Sequence, residues 1–252
     1  MSQANTIFLE EYTPPSHHIA TSDLTFEIFD EHTLVTNRMQ IRRLDKNATS
    51  LYLNGFDLEL ISAKIDDTEA DEEALVRSKE GLTLFCEKDR FVLEVATKIY
   101  PDKNTALEGF YRSGTILCTQ NEPEGFRSIS YFIDRPDNMS IFTTTIIADA
   151  ARYPILLGNG NLALQEACGE GRHKAKWLDP FPKPSYLFAI VAGDLGVVND
   201  HFATMSGREV ELNIYVDKGN ESKCGHAMRS LKNAMKWDEE KYGREYDLDI
   251  YN

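Results

Sequence analysis

Between Asp23 and Ile65 the chain alternates apolar and polar residues: Leu24, Phe26, Ile28; then Val35, Asn37, Met39, Ile41; then Leu51, Leu53; then Leu58, Leu60. Successive strand residues point to opposite faces, so a period of two predicts pleated strands with one buried face, read here as antiparallel. Leu82–Cys86 and Phe91–Ile99, separated by EKDR, read as a hairpin, and Phe142–Ala148 as a further strand. Arg127–Ile133 alternates through Ile129, Tyr131 and Ile133, and the continuous apolar run Tyr186–Asp194 fits a strand buried on both faces. The acidic stretch from Ile65 to Leu82 lacks an apolar stripe and is expected to be a solvated loop with a short strand near Leu75 and Val76. Tyr100–Gly114 reads as loop, and GNGN (158–161) and EGRH (170–173) as turns.

The period changes near the end. Met228, Leu231, Met235 and Tyr242 recur at helical spacing between Gly225 and Tyr242, with Gly243 as the residue that stops the helix. The pattern therefore predicts a large all-β unit over residues 1–194, then a β-plus-helix piece over 195–252, two strands around SGRE included. YDLDIYN opens a strand where the chain stops and the helix has little to pack against, so the expectation is a truncated chain.

Composition adds size and sign. A chain of 252 residues with 42% hydrophobic residues, including 13 Phe and 11 Tyr, can bury a sizeable core. The formal charge of −14 repels nucleic-acid phosphates and anionic membrane surfaces. It favours cationic ligands, or serves only solubility. No run approaches a membrane span, and the amino terminus lacks the basic and apolar segments of a secretory signal. Cys86, Cys118, Cys168 and Cys224 are far apart and unpaired in pattern, which points to a reducing, cytoplasmic compartment.

Catalytic motifs are absent from the pattern. His17, His18, His32, His173, His201 and His226 form no HxxxH or HxH pair, no cysteine supplies zinc spacing, and neither HExxH nor GxSxG occurs. His17 and His18, after two prolines, are expected on an exposed loop. Gln120 and Glu122 differ, since alternate strand residues share a side and bring an amide and a carboxylate towards one ligand. A protonated amine, with three donors, suits them; lining an exposed sheet face is the other reading, and Glu124 before Gly125 can be a turn residue.

CTQNEPEGFRSISYFIDRPD (118–137), LDPFPKPSYLFAIVAGDL (178–195) and SLKNAMKWDEEKYGREYDLDIY (230–251) carry a resemblance. YTPPSHHI, NTALEGFYRSG and RYPILLGNGN extend it in the same order. Together they resemble the bacterial aminopeptidase N family of gluzincin zinc peptidases over essentially the whole chain. The resemblance implies a saddle-shaped β-sandwich to about Asp194 and the start of a thermolysin-like catalytic domain after it. It implies that Gln120 and Glu122 lie at the substrate entrance, where the glutamate binds the free α-amino group of a peptide. It also implies that a GAMEN motif and the HExxH zinc site lie beyond Asn252, where zinc polarises the scissile carbonyl and activates water. No catalytic residue, metal ligand or cofactor is then expected in this chain; its partners are peptides with a free amino terminus and the remaining domains. The competing reading is a stand-alone, non-catalytic β-sandwich binding or scaffold module.

Overall fold

The computed structural model describes residues 8–252; residues 1–7, read above as lacking a secretory leader, lie outside them. An eight-stranded sheet runs, from edge to edge, through Asn161–Gly169, Arg172–Lys183, Ser140–Asp149, His17–Ile28, Thr33–Arg43, Arg90–Ile99, Glu59–Ile65 and Thr68–Glu69. A four-stranded sheet is ordered Ile155–Gly158, Ile190–Gly193, Ile116–Gln120, Gly109–Ser113. A small sheet joins Ser50–Asn54, Gly81–Phe85 and Leu75–Arg77. The mainly β reading is observed, and the alternation works as expected: Leu24, Phe26, Val35, Met39, Leu51 and Leu53 are all fully buried. Asn37 keeps the buried face despite its amide, because it accepts from Ser22 Oγ at 2.8 Å and donates to Ser130 Oγ at 3.3 Å.

Strand partners departed from expectation more often than strand faces. His17–Ile28 runs parallel to Ser140–Asp149, a pairing that needs a long crossover and that alternation cannot reveal. Gly81–Phe85 and Arg90–Ile99 are not a hairpin; they belong to different sheets. Cys86 N–H donates to Thr49 O and Arg43 N–H to Asp89 O, so the EKDR segment crosses between layers instead of turning back. Gly109–Ser113, inside the expected loop, pairs with Ile116–Gln120. Tyr186–Asp194 contributes only Ile190–Gly193 as strand, after a 3-10 turn at Ser185–Leu187 that follows Pro184. In the acidic stretch the short strand Leu75–Arg77 forms as expected, and Asp66 and Asp67, both at positive φ, make the two-residue turn before Thr68–Glu69.

The carboxy-terminal residues form their own layer. Leu195–Ala203 and Glu209–Asp217 pair antiparallel, and Ile250–Tyr251 joins Glu209–Asp217 in parallel. The helix spans Gly225–Tyr242, with Gly243 in the left-handed conformation at its end. It does find a partner: Met228 and Met235 are buried with Val210 and Leu212, apart from the main core. Asn161 ties this layer to the large sheet, donating to Asp249 Oδ2 at 3.0 Å and accepting from Asp249 N–H at 2.8 Å. No described helix is long and apolar enough to cross a membrane.

His17 and His18 also departed from expectation, since they begin the first long strand, and His17 is fully buried. Its register against Arg43 removes it from solvent, Nδ1 faces Ser16 Oγ at 3.0 Å, and no partner meets Nε2 among the described residues. Burial, followed by the nearby Arg43 charge, pushes its pKa below the ordinary value, with Asp45 opposing. The unfolded chain therefore takes up a proton near pH 6.5 that the folded chain refuses, so folding should weaken as pH falls through that value and level off below the folded pKa. Urea unfolding from pH 7.5 to 5.5 checks this. The share due to His17 should vanish in His17→Phe, and an unchanged slope in that variant would assign the pH dependence to other groups.

Candidate functional site

Gln120 closes the strand Ile116–Gln120, and the chain then leaves the sheet. Pro123, reached through a cis Glu122–Pro123 bond, has no N–H to continue a ladder, so Glu122 lies in a turn rather than on the strand with Gln120. The shared-face argument from alternation therefore fails for this pair, and proximity comes from the turn instead. Gly125 N–H donates to Asn121 O at 2.8 Å, closing the turn. A Cβ on Gly125 would lie 2.4 Å from Gln120 O, so glycine is what allows this close return.

Inside the turn, Asn121 is buried and donates to Phe188 O at 2.7 Å, pinning the strand end to the segment that enters the central strand of the four-stranded sheet. Gln120 and Glu122 are both exposed. Gln120 Nε2 donates to the Glu122 main-chain carbonyl at 3.2 Å. Because a carbonyl only accepts, the amide nitrogen must face it, which leaves Gln120 Oε1 as a free acceptor. The Glu122 carboxylate has no ion pair or hydrogen bond among the described residues. The outer rim of the turn thus carries an amide oxygen and a carboxylate, both acceptors, on a fixed backbone.

After the turn, Gly125–Ser128 is a 3-10 turn, and Ile129–Asp134 is buried irregular chain rather than the alternating strand expected. Its backbone is satisfied piecemeal: Phe132 exchanges two hydrogen bonds with Asn54, and Thr97 Oγ1 donates to Ile129 O at 3.1 Å. The Asp134 carboxylate, 2% exposed, is the hub. It accepts from Arg127 Nε at 2.9 Å, from Arg127 N–H at 3.2 Å and from Ser185 Oγ at 2.5 Å. Arg127 also donates to Asp134 O at 3.1 Å, and its remaining edge lies 3.1 Å from Glu124 Oε2. Sequence reasoning missed Arg127 and Asp134; neither falls in a spacing that marks a pair.

Among the described residues, no three His, Cys, Asp or Glu side chains converge as a metal ion needs.

A family model for the peptidase M1 N-terminal domain matches residues 14–187. The chain belongs to that family. It is 49% identical over 250 residues to aminopeptidase N of Escherichia coli strain K12, covering 99% of this chain and 28% of that protein. The solved structure of Legionella pneumophila aminopeptidase A in complex with aspartic acid superposes with a TM-score of 0.91 at 33% identity, covering 96% of this chain and 29% of that one. An M1 zinc metallopeptidase from Deinococcus radiodurans, solved with a Tyr-Ser-Ala substrate, shares the fold with a TM-score of 0.75 at 14% identity, over 94% of this chain and 56% of that one. The chain thus spans less than a third of the length of its aminopeptidase N relative.

The hub makes an asymmetric prediction. Asp134 is sealed inside, whereas Arg127 reaches solvent and Glu124. Arg127→Met strands a buried carboxylate and should cost about 3–5 kcal/mol, while Asp134→Asn leaves a cation with other partners and should cost less. Chemical denaturation of the two variants measures the order; equal costs, or the reverse order, would mean that Asp134 does not depend on Arg127.

Proposed function

We propose that the chain is the amino-terminal portion of a zinc-dependent aminopeptidase of broad specificity, to which it contributes recognition of the substrate's free α-amino group. The observation that carries this reading is the exposed Glu122 carboxylate, left unpaired beside the acceptor oxygen of Gln120 on a turn held by its own backbone. An ammonium brings three donors and a full charge, so two acceptors and one anion match much of its demand. An internal peptide N–H brings one donor and no charge, and would leave the carboxylate desolvated without compensation. A site of this kind accepts the first residue of a peptide and rejects an interior one. The net charge of −14 works in the same direction by attracting cations.

In this reading residues 1–194 are the β domain and residues 195–252 open the catalytic domain. The separate buried cluster of Val210, Leu212, Met228 and Met235 supports the division, with Ile250 alone of the later residues packing against the main core. The zinc site, and the rest of the pocket that fixes the preferred first residue, would belong to the remaining domains, so this chain alone should be inactive. Four cysteines without disulfides fit a cytoplasmic setting.

The test uses a full-length enzyme that carries this chain. Glu122→Ala should lower kcat/KM for unblocked peptides by the equivalent of about 2–5 kcal/mol, because the ammonium loses its charge partner in a site that bound substrate and the remaining domains would close off from water. An unchanged kcat/KM in that variant would remove Glu122 from amine recognition.

A further inference from the structure

The turn that presents Glu122 holds a second carboxylate, Glu124, whose side chain is 66% exposed. Two anions so near in sequence offer an ammonium two registers, only one of which can put the scissile bond where the chemistry occurs. Arg127 separates them. Its guanidinium is fixed by Asp134 through two nitrogens, Nε to the carboxylate at 2.9 Å and Nη2 to the main-chain carbonyl at 3.1 Å. The third nitrogen, Nη1, meets Glu124 Oε2 at 3.1 Å, while Glu122 has no cation among the described residues. A planar guanidinium held through two nitrogens cannot turn towards Glu122 without giving up its bonds to Asp134.

We infer that Arg127 is a positioning residue that withholds Glu124 from the substrate amine and so leaves Glu122 as the one carboxylate that this turn offers it. This rests on the amine-recognition reading above and adds to it the device that fixes the substrate's register. Arg127 touches no substrate in this account; it acts by occupying the competing anion.

Freeing Glu124 creates a second, non-productive mode of binding. Such binding ties up enzyme without changing the productive path, so it lowers kcat and KM by the same factor and leaves kcat/KM nearly constant. A merely structural role would not produce that pairing. Arg127→Gln alone risks misfolding over a stranded Asp134, so the variant to use in the full-length enzyme is Arg127→Gln combined with Asp134→Asn, which neutralises the buried pair together.

With an unblocked aminoacyl p-nitroanilide, kcat and KM should each fall roughly twofold to tenfold in that variant while kcat/KM moves by less than about twofold. Adding Glu124→Gln should restore both constants, and Glu124→Gln by itself should leave them as in the parent. If kcat/KM falls with KM unchanged or raised, or if Glu124→Gln restores nothing, Arg127 does not set the register. Glu122→Ala measured alongside separates the two claims. A loss of kcat/KM there without the paired fall in the Arg127 variant overturns only the role of Arg127, whereas no loss there overturns the amine anchor itself.

Discussion

The phenylalanine cluster between the large and four-stranded sheets is the contact on which the remaining architecture depends. Phe26 and Phe142 come from adjacent parallel strands of the large sheet, and Phe110 from the edge of the four-stranded sheet. Phe188 comes from the segment entering its central strand, and Phe126 and Phe132 from the irregular chain between. Phe126 is the centre: its ring lies 4.8 Å from Phe132, 5.3 Å from Phe188 and 6.0 Å from Phe142, mostly edge to face. Aromatic rings bury about 150–250 Å² each, so a joint of this kind outweighs any single hydrogen bond in the molecule. Phe126 belongs to the 3-10 turn that directly follows Glu122 and Glu124, so the apolar joint and the polar rim are joined by continuous backbone.

Burying irregular chain at that joint demands polar compensation, because Ile129–Asp134 has no continuous ladder partner. Asn37, Asn54, Thr97 and Ser185 supply it, and Asp134 with Arg127 closes the network at its outer end. In a low-dielectric interior such a network is strong when complete and costly when one member is missing, which makes it a rigid mount. The turn from Gln120 to Gly125 is consequently anchored on both sides: by Asn121 to Phe188 O before it, and by Arg127 to Asp134 after it.

This division explains what the sequence made legible. Strand faces were readable because a buried face forces period two: Leu24, Phe26 and Ile28 disclose it, and the helix at Gly225–Tyr242 discloses its own period through Met228 and Met235. Strand partners were not, because the parallel pairing of His17–Ile28 with Ser140–Asp149 and the sheet switch after Phe85 are settled by contacts remote in sequence. Alternation also misled at Ile129, Tyr131 and Ile133, where the intervening Ser130 and Phe132 are buried as well. Gln120 and Glu122 stood out through their alternate spacing and the resemblance, but the reason they are neighbours is a proline and a glycine turn, not a shared strand face. Arg127 and Asp134 carried no local signal at all, since a buried pair is defined by what surrounds it.

Carboxylates within one short stretch have opposite fates, and the contrast is physical. Asp134 is desolvated and saturated with donors, so it gives rigidity and offers nothing to a ligand. Glu122 is solvated and, among the described residues, unpaired, yet its main chain is fixed, since its carbonyl accepts from Gln120 and the turn is closed by Gly125. A binding carboxylate needs that combination: water must be able to leave it when a cation arrives, and its backbone must not have to be ordered at that moment, or affinity is lost to conformational entropy. In the amine-recognition reading proposed above, a neighbouring cation on Glu122 would have to be displaced by the ligand. Glu122 is instead oriented through its backbone, while the nearby arginine is turned towards Glu124 and the interior.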